Sequence, residues 1–436
     1  MGAMDEYNYA EEPRRDVFCI DVKSFFASVE CVQRGWDPLT KMLVVMSYAE
    51  NAGGLVLASS PEAKKQLGIS NVTRKYALPD HPDLVIVPPR MSLYLSENER
   101  INQIYQEYVA NEDLHIYSID ESFLDVTASY HLFAESPKAL ARLIQQRIKR
   151  ETGLVVTIGI GDNPLLAKLA LDNGAKHSPE FIAEWRYQDV PQTVWQIDPI
   201  TEMWGIGSRM AKRLARIGIE TVNDLAHYPV ARLRDSLGVI GEQLHAHAWG
   251  IDRSRVPQKV AAKEKSFGNS QVLTRDYSRQ GEIEIVIREI ADQVASRLRK
   301  HHCQTECVHL YIGFSKGYQQ TQGGFSHQLK IPLTNQSIQL GEYCVHLFRQ
   351  HWQKQAIRHI GISCSKLSFH GNLQLDLFSD PEEAIRKAQL DELIDRIRQK
   401  YGYVALIHAN SLLPGGTAIS RVNLVGGHAG GMEGLQ

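Results

Sequence analysis

Short apolar runs separated by glycine, proline and charged breaks dominate the first 190 residues. Val17-Phe18-Cys19-Ile20 ends at Asp21 and reads as a buried strand, and Phe25 to Cys31 follows as a helix. Leu43 to Met46 and Leu55 to Ala58 predict two more strands around an Asn51-Ala52-Gly53-Gly54 turn. Pro61, followed by Glu62, Ala63, Lys64 and Lys65, starts a helix with proline in its first turn. Leu84 to Val87 is a strand, and 92–110 is helical with Leu93, Ile101, Ile104 and Tyr108 on one side. His115 to Ile119 and Phe123 to Val126 enclose Asp120-Glu121 like the arms of a hairpin. A basic amphipathic helix over 137–152, a strand from Leu154 to Ile160 and a helix from Pro164 to Leu171 complete an intermixed α/β stretch over 16–184.

The pattern then changes. Residues 198–252 read as helices punctuated by glycines, with no strand signal. Residues 253–264 are polar and basic, as a linker would be, and 265–370 return to mixed strand and helix. Beyond Gly371 lies a distinct tail. It carries a helix near 382–400, whose apolar face would be Leu390, Leu393, Ile394 and Ile397, and a glycine-rich end expected to be disordered.

A chain of 436 residues exceeds one compact core and suggests about two to four domains. No apolar run approaches the roughly 20 residues that span a bilayer, and the polar, acidic N-terminus does not read as a signal peptide. Six irregularly spaced cysteines fit reduced thiols in a cytoplasmic protein. His301, His302, Cys303, Cys307 and His309 could suggest zinc, but no second ligand pair follows at finger spacing, so a helix end running into a strand is the favoured reading. The net charge of -2 conceals an asymmetry: residues 256–370 carry +7 and the remainder -9. A basic module on an acidic body points to a polyanionic partner.

The candidate chemistry is acidic. Asp21 ends a buried strand, and Asp120 and Glu121 sit between two strands far away in sequence. Carboxylates at strand ends are costly to bury without a cation. Three of them, with a backbone carbonyl such as that of Val22, could hold two magnesium ions that also bind phosphate oxygens. Neighbours in a regular strand face opposite ways, so Asp120 and Glu121 can share one site only if the strand ends, turns or bulges there. Taken alone, such a pair is more often a solvated turn.

Three motifs change that balance. Cys19-Ile20-Asp21-Val22-Lys23-Ser24-Phe25-Phe26-Ala27-Ser28-Val29-Glu30 resembles the first motif of Y-family DNA polymerases. Tyr117-Ser118-Ile119-Asp120-Glu121-Ser122-Phe123-Leu124-Asp125 resembles the second, and Val155 to Gly161 with Asn163-Pro164-Leu165-Leu166-Ala167-Lys168-Leu169-Ala170 the third. The likeness runs from about 16 to 370 in matching order, and looks closest to the branch of the bacterial DNA polymerase V catalytic subunit.

The resemblance implies an α+β multidomain right hand: palm at 16–24 and 90–184, fingers at 25–89, a helical thumb with a helix-hairpin-helix at 185–252, a linker at 253–264, a separate α/β little finger at 265–370 and a tail at 371–436. It implies low-fidelity, template-directed addition of deoxynucleotides to a primer, past damaged bases. Asp21, Asp120 and Glu121, with the Val22 carbonyl, match the metal-binding groups. Val22, Lys23, Phe25 and Phe26 match nucleotide-contacting positions, and Phe26 is the steric gate where a ribose 2′-hydroxyl would project. Lys168 matches a lysine that meets the triphosphate. The fingers helix lacks the usual Tyr, and Lys64 or Lys65, with Lys64 preferred, stands for its Arg. Lysine loses bidentate phosphate recognition, so looser nucleotide holding is expected.

Trp204-Gly205-Ile206-Gly207-Ser208 resembles a helix-hairpin-helix, in which Gly205 and Gly207 let backbone amides approach DNA phosphate. Lys265-Ser266-Phe267-Gly268 and Ile357 to Ile362 resemble the first and last strands of the little finger. Gln374-Leu375-Asp376-Leu377-Phe378 resembles the peptide by which bacterial polymerases dock on the sliding clamp, with Leu377 and Phe378 filling a pocket and Gln374 fixing orientation. Primer–template DNA, dNTPs and the clamp are the implied partners, with room for an activating accessory protein and none for a membrane. A non-catalytic scaffold would not need all three carboxylates, and a two-metal nuclease would have no clear use for Phe26 and Lys168.

Overall fold

The computed structural model describes residues 7–47, 54–256, 265–315, 323–369, 381–422, 424–425 and 427–429. Residues 51–53 of the expected turn, most of the linker and the whole clamp-like peptide (Gln374, Leu375, Leu377, Phe378) lie outside these. The chain divides into two compact units, Met1–Lys259 with His428–Gln436, and Val260–Gly427.

The first unit is built on a five-stranded sheet. β1 (Val17–Val22) runs antiparallel to both of its neighbours, β6 (Glu121–Asp125) and β7 (Val156–Gly161). β5 (Leu114–Ile116) flanks β6, so the expected hairpin forms, and β8 (Ile182–Trp185) lies parallel to β7. β8 was not among the predicted strands: only Ile182 of its four residues is buried, so no apolar run marks it. A second sheet holds β2 (Leu43–Ser47), β3 (Leu55–Ser59) and β4 (Val85–Val87). The helices are α1 (Phe25–Val32), α2 (Pro61–Leu67), α3 (Met91–Gln106), α4 (Pro137–Thr152) and α5 (Pro164–Asn173).

Strand alternation puts Val17, Cys19 and Asp21 on one face of β1. There Val17, Cys19 and Phe123 pack with Ala167 and Leu171 of α5. Glycine permits this approach: a Cβ on Gly159 would stand 2.1 Å from the Ala167 carbonyl oxygen, and one on Gly161 2.3 Å from the Ala167 amide nitrogen. α5 therefore rides directly on β7 and carries its own side chains to the end of β1. Residues 198–252 form α6 (Ser208–Ala215), α7 (Val222–His227), α8 (Val230–Leu237) and α9 (Val239–Ala248) around Leu214, Val222, Leu225, Leu233 and Leu244.

The second unit is a four-stranded antiparallel sheet in the order β11-β10-β12-β9, where β9 is Phe267–Tyr277, β10 Gln304–Phe314, β11 Gly324–Thr334 and β12 Ile357–Ser368. α10 (Gln280–Lys300) and α11 (Ser337–His351) cover one face, burying Ile287, Val294, Leu310, Phe348 and Ile360. Cys303, Cys344 and Cys364 lie in this core, and all six cysteines are free and buried. His301 stacks on Phe267 and His309 bonds Ser326.

The tail corrects two expectations. α12 (Pro381–Tyr401) forms, but Leu390 and Leu393 of its expected apolar face are exposed. The helix docks through charge instead. Arg299 of α10 donates to both carboxylate oxygens of Asp395 (2.6 and 3.1 Å) and to Asp391 (3.1 Å), while Arg398 donates to buried Asp292 (2.7 Å). Nor are the glycines at 415 and 416 in a disordered end. Thr417 and Ala418 are buried, and a Cβ on Gly415 (φ +103°) would meet the Glu282 Cβ at 2.6 Å. These glycines serve close approach, which composition cannot distinguish from flexibility. Residues 430–436 lie outside the described ones.

Candidate active site

A cavity of about 1100 Å³ opens beside the end of β1. Asp21, Val22, Lys23, Phe25 and Phe26 line one side; Lys64, Lys65, Asp120 and Lys176 complete much of the rest.

The condition set by strand alternation is met by a turn. β6 begins at Glu121, and the Tyr117 and Ser118 amides both donate to the Glu121 carbonyl (2.9 Å each). Asp120 is thereby outside the strand. Its carbonyl accepts from the Val22 amide (2.9 Å) and its carboxylate from the Ser118 hydroxyl (2.7 Å). Glu121 pairs with Asp21 in register, which puts both on the α5 face. Glu121 is nevertheless turned away from the cavity lining. Its oxygens accept from Cys19 Sγ (3.2 Å) and Lys168 Nζ (2.9 Å). Among the described residues no three His, Cys, Asp or Glu side chains stand close enough to form a ready-made metal cage.

Burial pushes the Asp21 carboxyl above its usual range; Lys176 opposes this, and Asp120 and Glu121 add to it. Lys176 Nζ lies 2.9 Å from Asp21 and 2.7 Å from Asp172. A carboxylate that is desolvated and crowded by like charge gains from any added cation. Hard oxygen donors on two chain segments suit magnesium, so the residues present fit such ions.

Lys168, expected to meet the triphosphate, lies away from the cavity wall. It is buried, sits between Glu121 and Asp172 (3.0 Å), and does not line the cavity. Lys176 does line it, six residues beyond the end of the third motif at Ala170. Lys168, Asp172 and Lys176 follow one another at intervals of four residues, so α5 and the short turn after it (Ala175–His177) stack them along one side. That spacing was the available signal.

Phe26 lines the cavity with its ring stacked on Tyr94 (centroids 4.4 Å, 14°). Tyr94 donates its hydroxyl to Glu30 (2.8 Å), and Arg90 donates to both oxygens of Glu30 (2.9 and 2.7 Å). Tyr94, also unread in the sequence, is thus fixed from below and fixes Phe26 in turn. Lys64 donates to the Ser24 hydroxyl (3.1 Å), and Lys65 lines the same cavity. Burial lowers the Lys64 ammonium, and burial with the neighbouring Lys64 charge lowers Lys23. Lys23 lies 4.5 Å from the Phe181 ring centroid.

Elsewhere in this unit, Gly205 has φ +94° and Gly207 caps α6; a Cβ on either would meet nothing within 4 Å, so the amides at that helix start are open to approach. In the second unit Lys265 is exposed, 5.8 Å from the Phe369 ring.

The impB/mucB/samB family model matches residues 20–172, its C-terminal-domain model 264–377, and the thumb-domain model of DNA polymerase-iota 201–252. A Bacillus subtilis protein named for UV-damage repair, UvrX, is 40% identical over 97% of this chain and 99% of its own. DNA polymerase IV 2 of the same organism is 34% identical over 94% and 98%, and DNA polymerase IV of Moorella thermoacetica 34% over 92% and 97%. A solved Y-family DNA polymerase chimera shares the fold, with a TM-score of 0.66 at 24% identity over 80% of this chain and 98% of its own. No helix among the described residues is long and apolar enough to cross a membrane. Taken with the motifs around Asp21 and Asp120, these matches make the chain a member of the Y family of DNA polymerases, a translesion DNA-directed DNA polymerase.

Proposed function

We propose that the cavity beside β1 is the nucleotidyl-transfer site. The observation that supports this is the meeting of Asp21 and Asp120, from segments about a hundred residues apart, with Phe26 and the lysines Lys23, Lys64 and Lys176 in one cavity. Asp21, Asp120 and the Val22 carbonyl, with Glu121 released from Lys168, would hold two magnesium ions. The chemistry such ions supply is activation of a primer 3′-hydroxyl and neutralisation of the leaving pyrophosphate. The chain's own residues position the substrate. Lys176 and Lys64 face the triphosphate from opposite sides, Lys23 adds a third charge, Phe25 backs the pocket, and Phe26 stands where a 2′-hydroxyl would project. Gly205, Gly207 and Lys265 contact the DNA backbone, which positions the duplex without reading its sequence.

The test is incubation with primed template, dNTPs and Mg²⁺, on intact and abasic templates. Extension supports the proposal; cleavage would favour a nuclease, and neither a scaffold.

Two lysine variants separate roles. Lys176→Ala is expected to raise KM for dNTPs about tenfold or more, because a cation facing the phosphates is lost. Lys64→Ala should act in the same direction. Lys168→Ala should mainly lower the melting temperature, since it strands Glu121 beside Asp172 with no ammonium between them, at a cost of about 2–4 kcal/mol. Equal KM effects from Lys168→Ala and Lys176→Ala in steady-state extension would contradict this division.

The tail peptide 374–378 is proposed to bind the sliding clamp through Leu377 and Phe378. Removing it should leave unassisted extension intact and abolish clamp stimulation; stimulation that survives the deletion rules the assignment out. A requirement for an accessory protein would appear in the same assay as extension only upon its addition.

A further inference from the structure

The sheet of the second unit has one face turned away from α10 and α11. Alternation puts Ser270 of β9, His309 and Tyr311 of β10, and His359 and Ser363 of β12 on it. These residues border a cleft of about 830 Å³ that the strands alone do not complete. Arg297 enters from α10 past the β9 edge, and Arg421 comes from the C-terminal segment beyond α12. Among the described lining residues, these two arginines are the only Lys, Arg, Asp or Glu side chains. The cleft is therefore a neutral polar floor with positive charge at its rim.

Arg421 is set there by a buried clasp. It donates to Gln271 Oε1 (2.9 Å), which lies 3.1 Å from the Thr417 hydroxyl. The Thr417 and Ala418 amides donate to Glu289 Oε2 (2.9 and 3.1 Å), and Tyr277 donates its hydroxyl to the Gly415 carbonyl (3.2 Å). Gln271, Glu289 and Thr417 are each less than a tenth exposed. These hydrogen bonds between buried groups fix the backbone of the segment, and so the starting point of the Arg421 side chain, on the sheet edge.

We propose that the C-terminal segment is part of the DNA-binding surface, with Arg421 and Arg297 contacting the phosphodiester backbone of the primer–template duplex along this cleft. Guanidinium groups match phosphate in charge and in fork geometry. Hydroxyl and imidazole groups on the floor can meet phosphate oxygens, and no carboxylate among the described lining residues repels them. This assignment rests on the proposed reading that the second unit meets duplex DNA.

The experiment is fluorescence anisotropy of a labelled primer–template with the full-length chain across a salt series. Arg421→Ala should raise Kd several-fold and flatten the slope of log Kd against log salt by about 1, the signature of one lost phosphate contact. Arg421→Lys should restore the slope. An Arg421→Ala protein with wild-type Kd and slope overturns the proposal, as does a loss that Arg421→Lys fails to restore. His359→Glu probes the underlying reading. Weakening by it with Arg421→Ala silent removes only the tail from the surface, whereas silence of both removes the whole face.

Discussion

Replacing Asp120 by alanine is expected to lower the rate of primer extension by about 10³-fold or more while the protein stays folded and still binds duplex DNA. The size follows from losing one of the few ligands that would hold the reacting phosphate's counter-charge in a largely desolvated site. The variant is structurally mild. The Asp120 carboxylate accepts one hydrogen bond, from Ser118, and the contact that ties this turn to β1 uses its backbone carbonyl and the Val22 amide. Alanine keeps that carbonyl, so the stability cost should stay within about 1 kcal/mol. Glu121→Ala would be a poorer test, because it removes a partner of the buried Lys168 as well. Single-turnover extension, with a melting curve as control, decides the matter: a stable Asp120→Ala protein that extends at the wild-type rate places the chemistry elsewhere. The rate should also fall in acid. Without magnesium, burial raises the Asp21 carboxyl, so protons compete with the ions for it at a higher pH than for an exposed aspartate. Asp120→Ala removes one of the like charges that adds to this.

What the sequence disclosed and what it hid divide along a physical line. β1 and the turn at Asp120 were readable because an uninterrupted apolar run can end in a carboxylate only where something compensates the charge. In the second unit only the mixture of strand and helix was readable; its first and last strands came from the family resemblance, and β10 and β11 were not singled out. Lys176 was missed because it lies past the end of α5, in a turn with no apolar repeat of its own, and only its spacing from Lys168 and Asp172 marks it. The direction Glu121 faces was not written in its motif either. It depends on Lys168 arriving from α5, which depends in turn on Gly159 and Gly161 lacking side chains. The tail was the largest surprise. A helix normally buries its apolar stripe, yet α12 docks by Asp391, Asp395 and Arg398, none of them on the expected apolar face. Their partners Asp292 and Arg299 lie on α10, some hundred residues earlier, and no local pattern connects them.

Phe26→Ala should open the site to ribonucleotides, reducing discrimination against rNTPs by roughly 10²-fold, read as the ratio of kcat/KM for dNTP and rNTP. Exclusion of a 2′-hydroxyl by an aromatic edge is a repulsive device, and it works only if the ring cannot swing aside. Here the ring is backed face to face by Tyr94, whose hydroxyl is tied to Glu30, itself held by Arg90. Glu30 is buried, and although burial raises its carboxyl, the hydrogen bonds from Arg90, Arg34 and Tyr94 hold it below the ordinary range, so it keeps the charge that anchors the stack. The alanine variant loses a half-buried ring and its stacking partner, about 1–2 kcal/mol of stability, which a melting curve would register without loss of the fold. Tyr94→Leu offers the complementary measurement. It leaves Phe26 in place but removes its backing, so discrimination should fall by a smaller factor. Wild-type discrimination in Phe26→Ala would mean that the ring only packs against α3; wild-type discrimination in Tyr94→Leu alone would mean that the gate needs no backing.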